Sequence, residues 1–303
     1  MTRLRADLLL LAASVIWGLA FVFQKSAMDH MGPYGFIAAR SLVAVAALLP
    51  FAWLESRRTP PVSLPALLPL GALAGACFFA GLALQQAGLI TATVTNAGFL
   101  TALYVVLTPL GAWAWQRQPP RRVVWYAVAL STLGAWLLAG GGLHALERGD
   151  VLVALGAIFW ALQMVITGAL ARHQRPFLLM LLQFAVMGAM SAVAVIAAAE
   201  PFATSMLRAT AVPILYTGVL SSALTFTLMA WAMKYTGASE AAIIVSTESV
   251  FSALAGALLL GERLPVPAWL GAALMMGAVL LVSVERSAAP AAAARPPAGA
   301  ARG

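Results

Sequence analysis

Residues 7–22 read DLLLLAASVIWGLAFV and residues 150–165 read DVLVALGAIFWALQMV. Laid over one another without gaps, at an offset of 143, they place Asp7 on Asp150, Leu9 on Leu152, Trp17 on Trp160 and Val22 on Val165. Matches come cheaply in Leu- and Ala-rich sequence, so the Asp and Trp anchors carry the correspondence. A second one, at an offset of 146, lays Gln116-Arg117-Gln118-Pro119 over Glu262-Arg263-Leu264-Pro265. The chain is therefore two related halves.

Both quoted stretches are apolar for longer than a buried strand needs. A bilayer core about 30 Å thick takes about 20 apolar residues per helical crossing. The sequence predicts ten such spans, at residues 7–28, 33–54, 65–88, 92–115, 121–140, 150–171, 176–199, 212–234, 239–260 and 267–284. The breaks carry Pro, Gly and charge, as at Gly32-Pro33, Arg57-Arg58-Thr59-Pro60-Pro61, Arg175-Pro176 and Leu264-Pro265. Five spans fall in each half. An odd number of crossings makes the second half enter from the opposite face, which is the inverted-repeat plan of many secondary transporters. The expected architecture is an all-α membrane protein of two inverted five-helix repeats, residues 1–145 and 146–286, with a disordered tail over 287–303 rich in Ala, Pro and Gly.

Composition agrees. The 303 residues are 62% hydrophobic and 9% charged, against about 25% charged in soluble domains. The net charge of +8 does not signify nucleic-acid binding, because the basic residues form small groups between apolar spans rather than a stripe on a polar face. They report topology instead. With the N-terminus in the cytoplasm, thirteen Lys and Arg residues fall on the inner side, while Arg148, Arg208 and Arg263 alone fall on the outer side; Lys25 and Arg40 lie within spans. This positive-inside bias puts both termini in the cytoplasm and the chain in a bacterial inner membrane. Arg3 and Arg5 before an apolar run resemble a signal peptide, but the run is span-length and lacks a small-residue cleavage site, so it reads as a retained first helix. Cys77 is the only cysteine and lies inside a span, which leaves no intramolecular disulfide framework.

A family resemblance runs over nearly the whole chain. Its parts are Val15-Ile16-Trp17-Gly18 with Phe21 to Lys25, Gly32-Pro33 followed by Ala39-Arg40-Ser41-Leu42, and Ala97-Gly98-Phe99-Leu100-Thr101 leading to Tyr104-Val105-Val106-Leu107-Thr108-Pro109. The second half adds Asp150, Phe159-Trp160-Ala161, and Ser246-Thr247-Glu248-Ser249-Val250-Phe251 leading to Leu260-Gly261-Glu262-Arg263-Leu264. In this the chain resembles the EamA family of the drug/metabolite transporter superfamily. The resemblance implies a ten-helix exporter or exchanger of small metabolites, similar to amino-acid exporters of the YddG type. Two positions depart from the pattern: Ser249 stands where the family usually has Pro, and Gln116 where a Glu often closes the fourth helix.

Polar groups inside spans are costly, about 2.5–3.5 kcal/mol for a central charge on insertion scales, so each needs a reason. Ser14, Trp17, Phe21 and Gln24 share one face of the first span by three- and four-residue spacing. Trp160, Gln163, Met164 and Thr167 form the matching face of the sixth. These stripes read either as walls of a central substrate cavity or as aromatic packing between helices, with their symmetry favouring the cavity. Glu248 is the one carboxylate at depth. It suits proton coupling, an ion pair with Arg40 or Lys25, or a structural hydrogen-bonding role. Arg40 can hold a carboxylate bidentately, from a substrate or from the protein, while Lys25 can snorkel to the interface. Asn96, Gln85 and Gln86, with Phe78, Phe79 and Phe99, are further pathway candidates, although helix packing accounts for the aromatics more plainly. Gly71 and Gly75 form a small-xxx-small pair that signals close helix contact.

The function classes narrow accordingly. Neither lysine follows a glycine, so the chain holds no phosphate loop for an ATP-driven pump. His-Glu-x-x-His is missing, and His30, His144 and His173 lie in joints or at helix ends, which offers no histidine proton relay. The expectation is a secondary transporter moving amino acids, including aromatic and hydrophobic ones, by alternating access. It is expected to need no cofactor or metal, to contact membrane lipid but no nucleic acid, and to be a monomer or weak dimer. Drugs or nucleosides are the alternative cargo, and an intramembrane enzyme or a structural membrane subunit the alternative classes.

Overall fold

In the computed structural model the described residues are 2–59, 64–139, 147–264 and 266–288. Among them nine helices are long and apolar enough to cross a membrane, and Arg122–Leu138, with 17 residues, is a shorter apolar helix. In chain order the crossings are α1 (Arg3–Met28), α2 (Pro33–Arg58), α3 (Leu64–Leu89), α4 (Val94–Gln116), α5 (Arg122–Leu138), α6 (Arg148–Leu170), α7 (Pro176–Ala197), α8 (Ala211–Thr236), α9 (Ala238–Leu260) and α10 (Pro267–Ala288). They match the ten expected spans one for one. The expected junction between halves at 145/146 lies outside the described residues, as does the tail beyond Ala288; residues 287 and 288, expected to be disordered, still belong to α10.

Local chemistry sets the helix ends. Proline opens both α2 and α7, where its fixed φ and missing N–H cost nothing. Asp150 closes the first turn of α6 by accepting from the backbone N–H of Glu147 at 3.1 Å. Other caps come from the opposite half. Glu55, at the end of α2, accepts from the N–H groups of Phe177 (3.3 Å) and Leu178 (2.9 Å) at the start of α7. Glu200, just past α7, accepts from Tyr34 (3.1 Å) and Gly35 (2.6 Å) at the start of α2. A carboxylate is well placed at the positive end of a helix, where it satisfies donors the helix cannot. Glu262 after α9 does the same for α4, accepting from Val94 N–H (2.8 Å), Thr95 N–H (3.0 Å) and the Thr95 hydroxyl (2.6 Å).

The helices pair as a pseudo-two-fold axis demands. α1 packs on α8 and α9, and α6 packs on the corresponding α3 and α4; α2 packs on α7 and α8, and α7 on α2 and α3; α5 packs on α10. Small residues let the backbones approach. Gly88 on α3 lies against Gly149 on α6, and Gly134 on α5 against Gly271 on α10. Gly71 and Gly75 meet α7 at Leu182, Gln183 and Val186, the close contact expected of them.

Candidate functional site

Three crossings are not continuous α-helices. α4 breaks between Thr101 and Tyr104, and α9 between Val245 and Glu248. At both breaks the backbone bonds tighten to three-residue spacing, as in Val105 N–H to Ala102 C=O (2.9 Å) and Val250 N–H to Thr247 C=O (2.9 Å). The α9 break forms without proline. Hydroxyls of Ser246 and Thr247 donate to the carbonyls of Ile243 (2.8 Å) and Ile244 (2.7 Å), offering the backbone an alternative to helical bonds. Ser249, which stands at the family's proline position, donates across to the Gly98 carbonyl of α4 at 2.9 Å.

The breaks bring together two residues that the repeat itself relates. Tyr104 and Glu248, 144 positions apart, each open the second segment of their helix, and the Tyr104 hydroxyl donates to Glu248 Oε1 at 3.0 Å. Glu248 thus takes a phenol at the centre of the molecule. Of the alternatives open for this carboxylate, the ion pair with Arg40 or Lys25 is not formed.

α8 is wound as a π-helix over Tyr216–Leu224. The wider turn frees carbonyls to accept from other helices. Trp17 Nε1 donates to the Ser221 carbonyl at 2.8 Å. Arg40 donates to the Thr217 carbonyl (3.3 Å), the Ser222 hydroxyl (2.9 Å) and, through its other terminal nitrogen, Gln24 Oε1 (3.1 Å). Gln24 also accepts from Gln85 Nε2 at 3.4 Å, and Gln85 Oε1 accepts from Trp160 Nε1 at 3.1 Å. Arg40 is 2% exposed, and its Nε finds no protein acceptor.

The repeat places Gln183 where the first half has Arg40, and Thr167 where it has Gln24. There Gln163 Nε2 donates to Thr167 Oγ1 (3.1 Å) and Gln183 Oε1 (2.8 Å), and Gln183 Nε2 donates to Thr167 Oγ1 (3.1 Å). Gln163 Oε1 is buried without a partner. One side of the axis is therefore cationic and the other a neutral amide cluster.

One cavity of ≈ 50 Å³ is bordered by Trp17, Phe21, Gln24, Arg40, Trp160, Gln163 and Glu248. Tyr104, Ser221 and Phe226 border it as well. The volume suffices for a few waters and is far below the roughly 300 Å³ of small-ligand sites. Rings fill the remaining space. Phe226 lies 4.7 Å from Trp17, 4.5 Å from Phe78 and 6.0 Å from both Trp160 and Phe184, centroid to centroid.

Three candidates stand apart from the lining. Asn96 donates to Asp150 Oδ1 at 3.5 Å near the start of α4. Phe79 is half-buried with its ring 6.3 Å from that of Tyr34, and Phe99 packs against Leu100 and Val250. The Lys25 ammonium donates to the carbonyls of Leu89 (2.7 Å), Ile90 (3.2 Å) and Ala92 (3.0 Å) at the end of α3. The sequence reading missed Tyr104, Ser221 and Phe226 as lining. At the sequence offset of 143 Tyr104 falls on Thr247, one residue short of Glu248, so only the helix breaks reveal the correspondence. Among the described residues no group of three or more His, Cys, Asp or Glu could hold a metal ion.

Ten apolar helices in an internal repeat, surrounding a polar and aromatic cavity, define a multi-pass membrane protein built for passage of a small solute. The chain belongs to the EamA-like transporter family, whose model matches it twice, over residues 4–140 and 147–284. It is 29% identical over 283 residues to an Archaeoglobus fulgidus protein described as an uncharacterized transporter, covering 93% of this chain and 87% of that one. It is 27% identical over 290 residues to the uncharacterized transporter YwfM of Bacillus subtilis, covering 91% and 93%. A solved crystal structure superposes with a TM-score of 0.76 at 16% identity, covering 95% of this chain and 100% of that one, a likeness of fold alone. The protein is a transporter and not an enzyme, and its substrate is a small molecule.

Proposed function

We propose that the chain exports or exchanges amino acids with large apolar side chains across a bacterial inner membrane, by alternating access around the cavity at the repeat axis. Arg40 carries this reading. A guanidinium buried among neutral acceptors, with Nε facing no protein acceptor, suits a ligand that brings a carboxylate with it. The Trp17, Trp160 and Phe226 rings supply the apolar surface for a side chain, and Glu248 with Gln163 Oε1 can accept from its amine. A nucleoside or neutral drug would leave the cation unpaired.

The test is counterflow in proteoliposomes loaded with a panel of unlabelled solutes. Labelled aromatic or branched amino acids should enter unchanged against their loaded counterparts, and the matching decarboxylated amines should not compete. Arg40→Lys keeps the charge but loses the planar fork, and is expected to cut amino-acid exchange severely in monodisperse protein. Competition by amines and nucleosides as strong as by amino acids would overturn the proposal.

A further inference from the structure

A second cavity, ≈ 660 Å³, lies away from the central site, between the α2, α7 and α8 helices and the end of α6. Its walls come from the halves of α2 and α8 nearest Arg58 and Lys234, and from the first turns of α7. Most of the lining is apolar, and Phe51, Leu220, Leu224 and Trp231 within it are exposed. All four belong to the apolar crossings α2 and α8, so the groove is cut into the part of the bundle that hydrocarbon surrounds. Polar groups gather at one end, where Glu55, Gln174, Arg175 and Lys234 border it.

The charges at that end are unequal in what they still offer. The Glu55 carboxylate already caps α7 through Phe177 and Leu178. Arg175 is buried and holds the Thr59 carbonyl at 3.0 Å. Lys234 is exposed; its ammonium donates to Gln174 Oε1 at 2.7 Å and has three N–H donors. Exposed Arg57, Arg58 and Arg172 stand on the adjoining helix ends, so the mouth is strongly cationic.

We infer that this groove is a binding site for one anionic phospholipid, with an acyl chain lying between α2 and α8 and the phosphate against Lys234. An apolar trough that opens into hydrocarbon is covered by lipid tails, because nothing polar there could satisfy water. The cationic mouth then selects the headgroup by charge. The positive-inside count assigns this end to the cytoplasmic leaflet, where anionic lipid is enriched. Volume fits as well, since the groove is within the roughly 300–1,000 Å³ of sites that enclose small ligands.

Native mass spectrometry of the full-length protein, released from mixed phosphatidylglycerol and phosphatidylcholine nanodiscs, tests this. Wild type should retain one phosphatidylglycerol per chain. Lys234→Gln should weaken its preference for phosphatidylglycerol over phosphatidylcholine by about fivefold, the effect of one lysine at an anionic surface. Leu224→Trp, which fills the groove, should lose the retained lipid altogether, whereas Leu280→Trp on the exposed face of α10 should keep it. If Leu224→Trp does not run as a monodisperse species, Lys234→Gln alone decides. Equal retention of both lipids by wild type, or unchanged retention in both groove variants, would overturn the inference. So would Leu224→Trp abolishing solute exchange while lipid retention stays intact, which would make the groove a passage for substrate.

Discussion

Tyr104 and Glu248 meet because two helices break at equivalent points, and the hydrogen bond between them crosses the repeat axis. Tyr104→Phe leaves the packing unchanged and removes the donor from a buried carboxylate. Its effect on stability should be about 1–3 kcal/mol, the cost of an unsatisfied buried group, read as a lowered Tm in detergent. If Glu248 carries a coupling proton, Glu248→Gln should abolish the pH dependence of net transport while leaving exchange measurable. Wild-type transport that is equally fast on the two sides of neutrality would leave Glu248 as a structural acceptor and the protein as a facilitator. The tryptophans separate two other readings. Trp17 and Trp160 each hold a hydrogen bond and pack on Phe226, so each is both cavity wall and core. Trp17→Phe keeps an aromatic ring, though a smaller one, and releases the Ser221 carbonyl, which still accepts from Thr225 at 2.6 Å. Preference between large and small amino acids should persist in Trp17→Phe and narrow in Trp17→Ala. Unchanged preference in folded Trp17→Ala and Trp160→Ala would remove both from the pathway.

At the scale of the helix, the carboxylate caps between halves set where each crossing begins. Glu55 and Glu200 occupy positions related by the repeat, and each caps the partner of its own helix. Replacement of either by Gln removes the charge and leaves one acceptor oxygen for two N–H groups. Each variant should lose about 0.5–2 kcal/mol, as capping substitutions do, and the two losses should add because the sites lie at opposite ends of the α2–α7 pair. Glu262 breaks the symmetry: it caps α4, while Gln118 stands two residues past the end of the matching helix in the first half. Near the start of α9 Glu240 instead pairs with Arg121 at 2.9 Å. Much of this level was hidden from the sequence. Periodicity, composition and the Asp/Trp repeat exposed the ten spans, because each is a local property of about 20 residues. The stripes on α1 and α6 found part of the cavity wall, namely Trp17, Phe21, Gln24, Trp160, Gln163 and Met164, for the same reason. The caps are contacts between residues far apart in the chain, so no local pattern announces them. The π-wound stretch of α8 is equally silent: Tyr216–Leu224 reads as an ordinary apolar run, yet it supplies the Thr217 and Ser221 carbonyls that hold Arg40 and Trp17.

For the whole molecule the halves are alike in path and unlike in chemistry. The pairings of α1 with α8 and α9 are mirrored by those of α6 with α3 and α4, the symmetry on which the proposed alternating access rests. Arg40 and Gln24 border the cavity on one side and Gln163 on the other, with Gln183 and Thr167 behind it, so a charged group faces a neutral amide. This plan requires the second half to be inserted upside down, and orientation tests it most directly. Five crossings separate the start of α1 from the start of α6, so the two must lie on opposite faces, and the thirteen-to-three bias assigns the first to the cytoplasm. Reporters fused after Arg58, Arg122 and Arg286 should be cytoplasmic, and one within residues 144–150 external. Single cysteines give a check that leaves the chain full-length, because Cys77 is the one native thiol and is buried. On a Cys77→Ala background, cysteines at Arg58 and Gln174 should react with an impermeant reagent only after the membrane is opened, and one at Glu147 should react from outside. Labelling of positions 58 and 147 from the same face, with expression intact, would require an even number of crossings between them and would end the inverted-repeat account.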